Sequence, residues 1–220
     1  KLMVLAGGYG KRINSTFPDC PKPLIPINQR HLLDWVLDPW RKKVDTIDLL
    51  VSHLGHQFEE VYGGCEYSGK YRFFYDEQPG LGRLSAVSDY LQKDLPKNGV
   101  FIINGDTFVS DRWIKMLTPG PYSKLLIMPS TDFFSGHKVL LKNRKIQFKL
   151  NQSTDGRRPN FIYKNTGVMY LNSAATAHLA EMKSDADLEL RLNDVLNMSK
   201  FRVIRTTHNS VFDVGTPCQF

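Results

Sequence analysis

The sequence predicts an α/β fold built on a doubly wound, mostly parallel sheet, and three observations carry that expectation. Short apolar runs alternate four times with helix-patterned stretches across the first half of the chain. Such a rhythm signals β-α-β units, because a parallel crossover needs a helix between strands. The first apolar run breaks directly into a glycine cluster, and the run at Val100 to Ile103 leads into an acid. In open α/β sheets, functional loops sit at the carboxyl ends of strands. Finally, 220 residues with 41% hydrophobic side chains suffice for one substantial core, so a single domain is expected.

Taken in order, Lys1 to Leu5 reads as a short buried strand that stops at Gly7-Gly8-Tyr9-Gly10. Prolines 18, 21, 23 and 26 should keep the following stretch extended. Leu32, Leu33, Val36, Leu37 and Trp40 recur at helical spacing and predict a helix over His31 to Lys43, which Pro39 must kink or end. The pattern continues with a strand at Ile47 to Val51, a helix at Gln57 to Tyr62 and a strand at Tyr71 to Tyr75. A helix at Leu84 to Leu95 and a strand at Val100 to Ile103 complete this half. The arrangement is Rossmann-like.

From about residue 123 the strands crowd together: Lys124 to Met128, Lys138 to Leu141, Lys145 to Leu150 and Thr166 to Leu171. Helices at Ala174 to Met182 and Leu188 to Asn197 follow, then a strand at Phe201 to Thr206 and a terminal turn at Phe212 to Pro217. The chain therefore divides into halves 1–122 and 123–220, the second richer in β and making the sheet a mixed one.

Composition excludes several function classes. The longest apolar runs fall far short of the roughly 20 residues that a membrane-spanning helix needs, and the chain opens on a strand-like run rather than a secretory signal. The expectation is a cytoplasmic protein. Cys20, Cys65 and Cys218 lie far apart without a C-x-x-C pair, which suggests reduced thiols rather than a zinc site or disulfide framework. His53, His56 and His137 lack the helical pairing with an acid that a zinc site would show. Tyr71, Phe73, Phe74 and Tyr75 read as core rather than as a base-stacking platform. The net charge of +7 favours polyanionic partners, but the basic residues are scattered instead of striped along one helix, which argues against a nucleic-acid-binding module.

Chemistry concentrates at four places. Gly7, Gly8 and Gly10 let the backbone turn sharply and present its N–H groups to an anion, although the spacing completes neither the P-loop nor the dinucleotide fingerprint. Lys11 and Arg12 follow directly, and Lys22 is locked between Pro21 and Pro23, an arrangement that a merely solubilising lysine does not need. Arginine offers a planar fork to phosphate oxygens and lysine a compact charge. Asp106 ends the buried run Phe101-Ile102-Ile103-Asn104-Gly105, and Asp213 sits in Phe212-Asp213-Val214-Gly215-Thr216-Pro217.

The run Leu5-Ala6-Gly7-Gly8-Tyr9-Gly10-Lys11-Arg12 through Pro21-Lys22-Pro23-Leu24-Ile25-Pro26-Ile27 resembles the signature of the sugar-1-phosphate nucleotidyltransferases. The resemblance extends from Lys1 to Pro217, with the motifs in family order. It implies that residues 1–122 bind a nucleoside triphosphate and 123–220 a sugar 1-phosphate, in an enzyme of nucleotide-sugar biosynthesis. It places Leu5, Ala6, Gly7, Gly8, Gly10 and Lys11 against the triphosphate, Arg12 on the leaving pyrophosphate, and Lys22 between the reacting phosphates. Asp106 and Asp213 match the G-D and D-x-G-T-P motifs, which implies that they hold Mg²⁺, a hard ion that prefers carboxylate and phosphate oxygens. Assembly into a homo-oligomer is left open.

Glu77 and Gly82 of Glu77-Gln78-Pro79-Gly80-Leu81-Gly82 resemble the segment that lies over the nucleobase, while Gly105, Asn165 and Gly167 match sugar-phosphate contacts. Two departures stand out. Arg83-Leu84-Ser85-Ala86 replaces the family's Thr and small residues, and Phe148-Lys149-Leu150-Asn151 replaces its Glu-Lys pair, leaving Lys149 as the candidate sugar-phosphate contact. Phe17 to Pro23 and Leu32-Leu33-Asp34-Trp35 look most like heptose-1-phosphate and mannose-1-phosphate guanylyltransferases, which makes GTP the expected donor. The two departures also leave room for a nucleotide-binding homologue without catalysis.

Overall fold

The computed structural model describes residues 1–8, 16–65, 67–76, 83–129, 138–142, 145–149, 163–182, 188–207 and 211–213. In chain order, β1 (Leu2–Leu5) is followed by a 3₁₀ turn at Lys22–Leu24 and a small hairpin of β2 (Pro26–Ile27) and β3 (Arg30–His31). Next come α1 (Leu32–Arg41), β4 (Ile47–Val51), α2 (His56–Tyr62), β5 (Tyr71–Tyr75), α3 (Arg83–Lys93) and β6 (Val100–Asn104). Then follow β7 (Thr107–Val109), α4 (Asp111–Met116), β8 (Ser123–Pro129), β9 (Lys138–Lys142), β10 (Lys145–Lys149) and β11 (Tyr163–Leu171). The last elements are α5 (Ser173–Ala180), α6 (Leu188–Met198), β12 (Phe201–Arg205) and β13 (Val211–Asp213).

Among the described residues, nine strands form one sheet whose main path runs β10-β9-β11-β6-β1-β4-β5, with β8 pairing β11 and β12 pairing β8. The first-half strands β5, β4, β1 and β6 are parallel, as the β-α-β rhythm predicts. Strand β11 then joins β6 antiparallel and carries β8 and β9 antiparallel beside it, while β12 returns parallel to β8. The sheet is mixed, with the change of sense at the junction of the two halves.

Alternation along the strands sends side chains to two cores. Leu2, Val4, Leu49, Val51, Phe101 and Ile103 pack with Leu33, Leu37 and Trp40 of α1, Phe58 of α2 and Trp113 of α4 on one face. Met3, Leu50, Val100 and Ile102 pack on the other with Leu84, Val87 and Leu91 of α3, Leu179 of α5 and Leu192 of α6. Both faces are covered, as a doubly wound sheet requires.

Three expectations need correction. The stretch after the glycine loop is not extended throughout, because Leu24 N–H donates to Pro21 O at 2.8 Å and tightens Lys22–Leu24 into a 3₁₀ turn. Proline's fixed φ suits the start of such a turn as well as extended chain. Phe212 and Asp213 are not turn residues, since β13 pairs antiparallel with β7; both strands are only three residues long, too short to show a period. Helix α1 stays within its expected span and runs two residues past Pro39, its last turn held by buried Trp40 tilted against Phe101 and by Arg41, which donates to Asp34 and to the Tyr71 hydroxyl. Tyr71 is buried as expected, whereas Tyr75 at the strand's end is 46% exposed.

At the amino-terminal edge, Asp48 of β4 is fully buried. Arg72 of β5 grips both its oxygens at 2.7 Å, and the Tyr90 hydroxyl of α3 donates to one of them. Burial, reinforced by that bond, pushes the Tyr90 phenol well above its ordinary range. Arg72 and Lys1 also pair with Asp94 beyond α3. This network fastens α3 to the sheet far from the strands' carboxyl ends. Asp48→Asn should lower unfolding free energy by about 2 kcal/mol, because a charge-assisted bidentate bond becomes a neutral one in a buried setting. A urea denaturation midpoint matching that of the parent would remove the network from the stabilising contacts.

Candidate active site

Strand register levels the carboxyl ends on which a site can form. Leu5 pairs with Leu50 of β4 on one side and with Asn104 of β6 on the other. The winding runs from β1 through β4 to β5 and then returns to β6 on β1's opposite side. This reversal is a topological switch point, where open α/β sheets leave a crevice for ligands.

On the β1 side of the crevice, Ala6 is buried and its N–H donates to Leu50 O at 2.9 Å, so its side chain belongs to the core. Gly7 O accepts a hydrogen bond from the Ser52 hydroxyl. A Cβ added at Gly7 would lie 2.9 Å from Ser52 Oγ, whereas one at Gly8 would meet nothing within 4 Å. Gly7 therefore lets the chain leave β1 tight against β4. Gly8 is exposed at the mouth of the crevice. Gly10, Lys11 and Arg12 lie outside the described residues, as do Glu77 and Gly82.

On the β6 side, Gly105 N–H donates to Leu5 O at 3.0 Å and extends the β1–β6 ladder by one bond. A Cβ at Gly105 would stand 3.2 Å from Pro23 Cγ, so the 3₁₀ turn bearing Lys22 is packed directly on this glycine. The Lys22 ammonium donates to Asp106 Oδ2. Two motifs 84 residues apart thus meet through one ion pair, with 12% of the lysine side chain and 23% of the aspartate exposed. Thr107 Oγ1 reaches the other carboxylate oxygen at 3.5 Å.

The β13–β7 pairing places Asp213 opposite Thr107, so the backbones of the two candidate acids are brought side by side. The Asp213 side chain is outside the described part. Among the described residues, no group of three or more His, Cys, Asp or Glu could hold a metal. A divalent ion here would draw on the Asp106 carboxylate and on phosphate oxygens. The donor set fits a hard cation: Asp106 already accepts a positive charge, from Lys22, at a half-open position.

The second half of the site comes from β11. Its register against β8 shifts between Asn165 and Met169. At the shift Thr166 Oγ1 donates to Leu126 O at 2.7 Å, and Asn165 Oδ1 accepts the Gly167 N–H at 3.1 Å. Gly167 has φ +72°, and an added Cβ would fall 2.1 Å from Asn104 Nδ2. Asn104, from the last position of β6, therefore occupies the space that Gly167 leaves open. Sequence reasoning gave Asn104 no role; its signal is a polar residue ending an otherwise apolar run, immediately before Gly105-Asp106. Lys149 lies on β10, at the sheet edge two strands out from β11, with its backbone paired to Lys138. Its side chain is outside the described part.

The structure thus gathers Gly7, Gly8, Lys22, Gly105 and Asp106 at one edge. It adds the backbone of Asp213 through β7, and Asn165 and Gly167 through Asn104. Cys20 and Cys65 are free thiols, while Cys218 lies outside the described residues. No described helix is long and apolar enough to cross a membrane.

Residues 2–168 match the MobA-like NTP transferase domain. The chain belongs to that family. Among the chain's relatives, a D-glycero-alpha-D-manno-heptose 1-phosphate guanylyltransferase of Aneurinibacillus thermoaerophilus is 35% identical over 107 residues. That alignment covers 48% of this chain and 45% of the relative. The bifunctional protein GlmU of Thermosipho africanus is 25% identical over 207 residues, 91% of this chain and 44% of that protein. The chain spans about half the length of the curated relatives it matches.

Two solved structures share the NTP transferase fold. The inositol-1-phosphate CTP transferase of T. maritima superposes with a TM-score of 0.77 at 19% identity, covering 100% of this chain and 90% of that one. HddC from Yersinia pseudotuberculosis, complexed with GMP-PN, superposes with a TM-score of 0.71 at 20% identity, covering 98% and 94%.

Gly167→Ala should cost at least about 1 kcal/mol, since an L side chain at positive φ is strained before any clash is counted. Adding Asn104→Ala should recover part of that loss, because the two residues touch. Strict additivity of the two changes in chemical denaturation would show that the contact carries no energy.

Proposed function

We propose that the chain transfers a nucleotidyl group from a nucleoside triphosphate to a sugar 1-phosphate and releases pyrophosphate. GTP is the preferred donor and a heptose or mannose 1-phosphate the acceptor. The observation that carries this reading is the Lys22–Asp106 ion pair in the crevice beside the glycine turn. It joins a phosphate-seeking cation to a cation-seeking acid at the place where an α/β sheet receives its ligand. Membership of the NTP transferase family supports it, and so does the named activity of the heptose-1-phosphate guanylyltransferase relative.

In the proposed reaction, an oxygen of the sugar phosphate attacks the α-phosphorus in line with the bond to the β-phosphate. A new P–O bond forms as the old one breaks, and the electron pair leaves with pyrophosphate. The acceptor phosphate is already ionised near neutral pH, so no protein group has to remove a proton. Lys22, anchored by the rigid Pro21–Pro23 turn, stabilises the charge that builds on the α-phosphate and keeps two anions in one cleft. Backbone N–H groups after β1 and the Arg12 guanidinium take the triphosphate's outer charge. Asp106 and Asp213 would hold Mg²⁺, whose contribution is charge neutralisation at the phosphates. Asn165 shapes the Gly167 turn beside the acceptor, and Asn104 borders the same space.

A pyrophosphate-release assay of the four common triphosphates against a panel of sugar 1-phosphates tests the proposal. GTP with a manno-configured heptose or hexose 1-phosphate should give the highest rate. Nucleotide binding without turnover across the panel would favour a non-catalytic homologue, a reading that the Arg83-Leu84 and Lys149-Leu150 departures motivate. Asp106→Asn and Asp213→Asn should each reduce turnover by about a thousandfold or more while leaving the fold intact by circular dichroism, a loss on the scale of removing a main charge stabiliser. Near-normal rates in either variant would remove that acid from the cation site. Lys22→Ala should lower kcat more than it weakens triphosphate affinity, since its charge is matched to the transition state. An unchanged kcat would overturn its place between the phosphates.

A further inference from the structure

We propose that Lys22 bars divalent cations from Asp106 until a triphosphate draws the lysine away, so that cation and nucleotide are admitted together. The inference rests on the reading of this crevice as the triphosphate site and adds an order of events to it.

Lys22 is anchored through its backbone, which is held in the 3₁₀ turn by Leu24 N–H to Pro21 O and Ile25 N–H to Lys22 O, and Pro23 abuts Gly105. Only the side chain is left to move, and its ammonium already sits on Asp106 Oδ2. A group tethered this closely acts as a competitor at an effective concentration on the order of millimolar or higher. A hydrated divalent ion arriving alone must shed water and displace that ammonium from the carboxylate it is paired with, in a cleft where only 12% of the lysine side chain is exposed. The pairing of the carboxylate with lysine therefore weakens the ion's own binding.

A triphosphate changes both sides of the exchange. Its oxygens are denser in negative charge than one carboxylate, and they accept the ammonium as a point charge. They also supply further hard ligands for the ion. The side-chain swing that frees Asp106 Oδ2 is then the same one that carries the Lys22 ammonium toward the phosphates. Thr107 Oγ1, at 3.5 Å from Asp106 Oδ1, stays beside the carboxylate on its other oxygen. By linkage, triphosphate and cation should each strengthen the other's binding, and the coupling should pass through Lys22.

The test is a titration of the full chain with Mn²⁺, with free ion read by electron paramagnetic resonance and no nucleotide present. The parent should show no saturable binding below millimolar Mn²⁺. Lys22→Met should gain a site at least about tenfold tighter. Lys22→Gln is the second uncharged variant should the methionine one fail to fold, and Lys22→Arg, which keeps the charge, should behave like the parent. Adding Asp106→Asn to Lys22→Met should abolish the gained site. A non-hydrolysable GTP analogue should confer Mn²⁺ binding on the parent and add less to Lys22→Met, where the barrier is already gone. Equal Mn²⁺ affinity in the parent and the uncharged variants overturns the proposal, as does a gained site that survives Asp106→Asn. The nucleotide-free titrations do not depend on turnover, so a chain that releases no pyrophosphate defeats the proposed reaction alone, and the metal titrations still decide whether Lys22 blocks the acid.

Discussion

The parallel pairing of β1 with β4 on one side and β6 on the other constrains everything else in the molecule. A parallel strand cannot return by a tight turn, so each neighbour requires a crossover helix, and those helices cover the two faces. Because β1 sits where the winding reverses, its carboxyl end and that of β6 lie side by side at the place where an open α/β sheet leaves a crevice for its ligand. The Gly105 N–H bond to Leu5 O carries the ladder one step past the strands and sets the distance between the two loops. Pro23 then rests on Gly105, and the lysine beside it meets the acid that follows. The chemistry is thus laid out by backbone pairing before any side chain contributes.

Much of the fold was legible in the sequence because burial on both faces leaves nearly unbroken apolar strands such as Ile47 to Val51 and Val100 to Ile103. Helix α1 announced itself through a one-sided apolar stripe. The misses share a cause. The β2–β3 hairpin, β7, α4 and β13 are short elements of two to six residues, fixed by tertiary partners rather than by a period. The turn at Lys22–Leu24 was hidden because proline's φ is shared by extended chain and 3₁₀ turns. Strand β11 starts three residues earlier than expected, at Tyr163, since its first residues are polar and only half buried.

The site was legible in a different way. Lys22 and Asp106 could be singled out from flanking prolines and from a strand end, and the structure puts them in contact. Asn104 escaped notice because its place depends on the register of β6 against β11, and on a glycine sixty-odd residues later that gives it room. No local pattern encodes such a pairing. Asn165 carries a sugar-contact assignment by resemblance, and its side-chain oxygen also accepts the Gly167 N–H and shapes the turn there. A motif reports which residues gather at a site, while coordinates are needed to show how each is held.

The pairing of β13 with β7 has a consequence for how the molecule comes into being. Strand β7 lies near the middle of the sequence, and its ladder partner is translated about a hundred residues later. Among the described residues, both main cores are assembled from residues that precede β13, apart from Val211 itself. A nascent chain can therefore bury most of its apolar surface and look native to a folding sensor while one wall of its cleft is still inside the ribosome. Closure of the β7 ladder waits for β13 to emerge, so the backbone of Asp213 joins that of Asp106 late in synthesis.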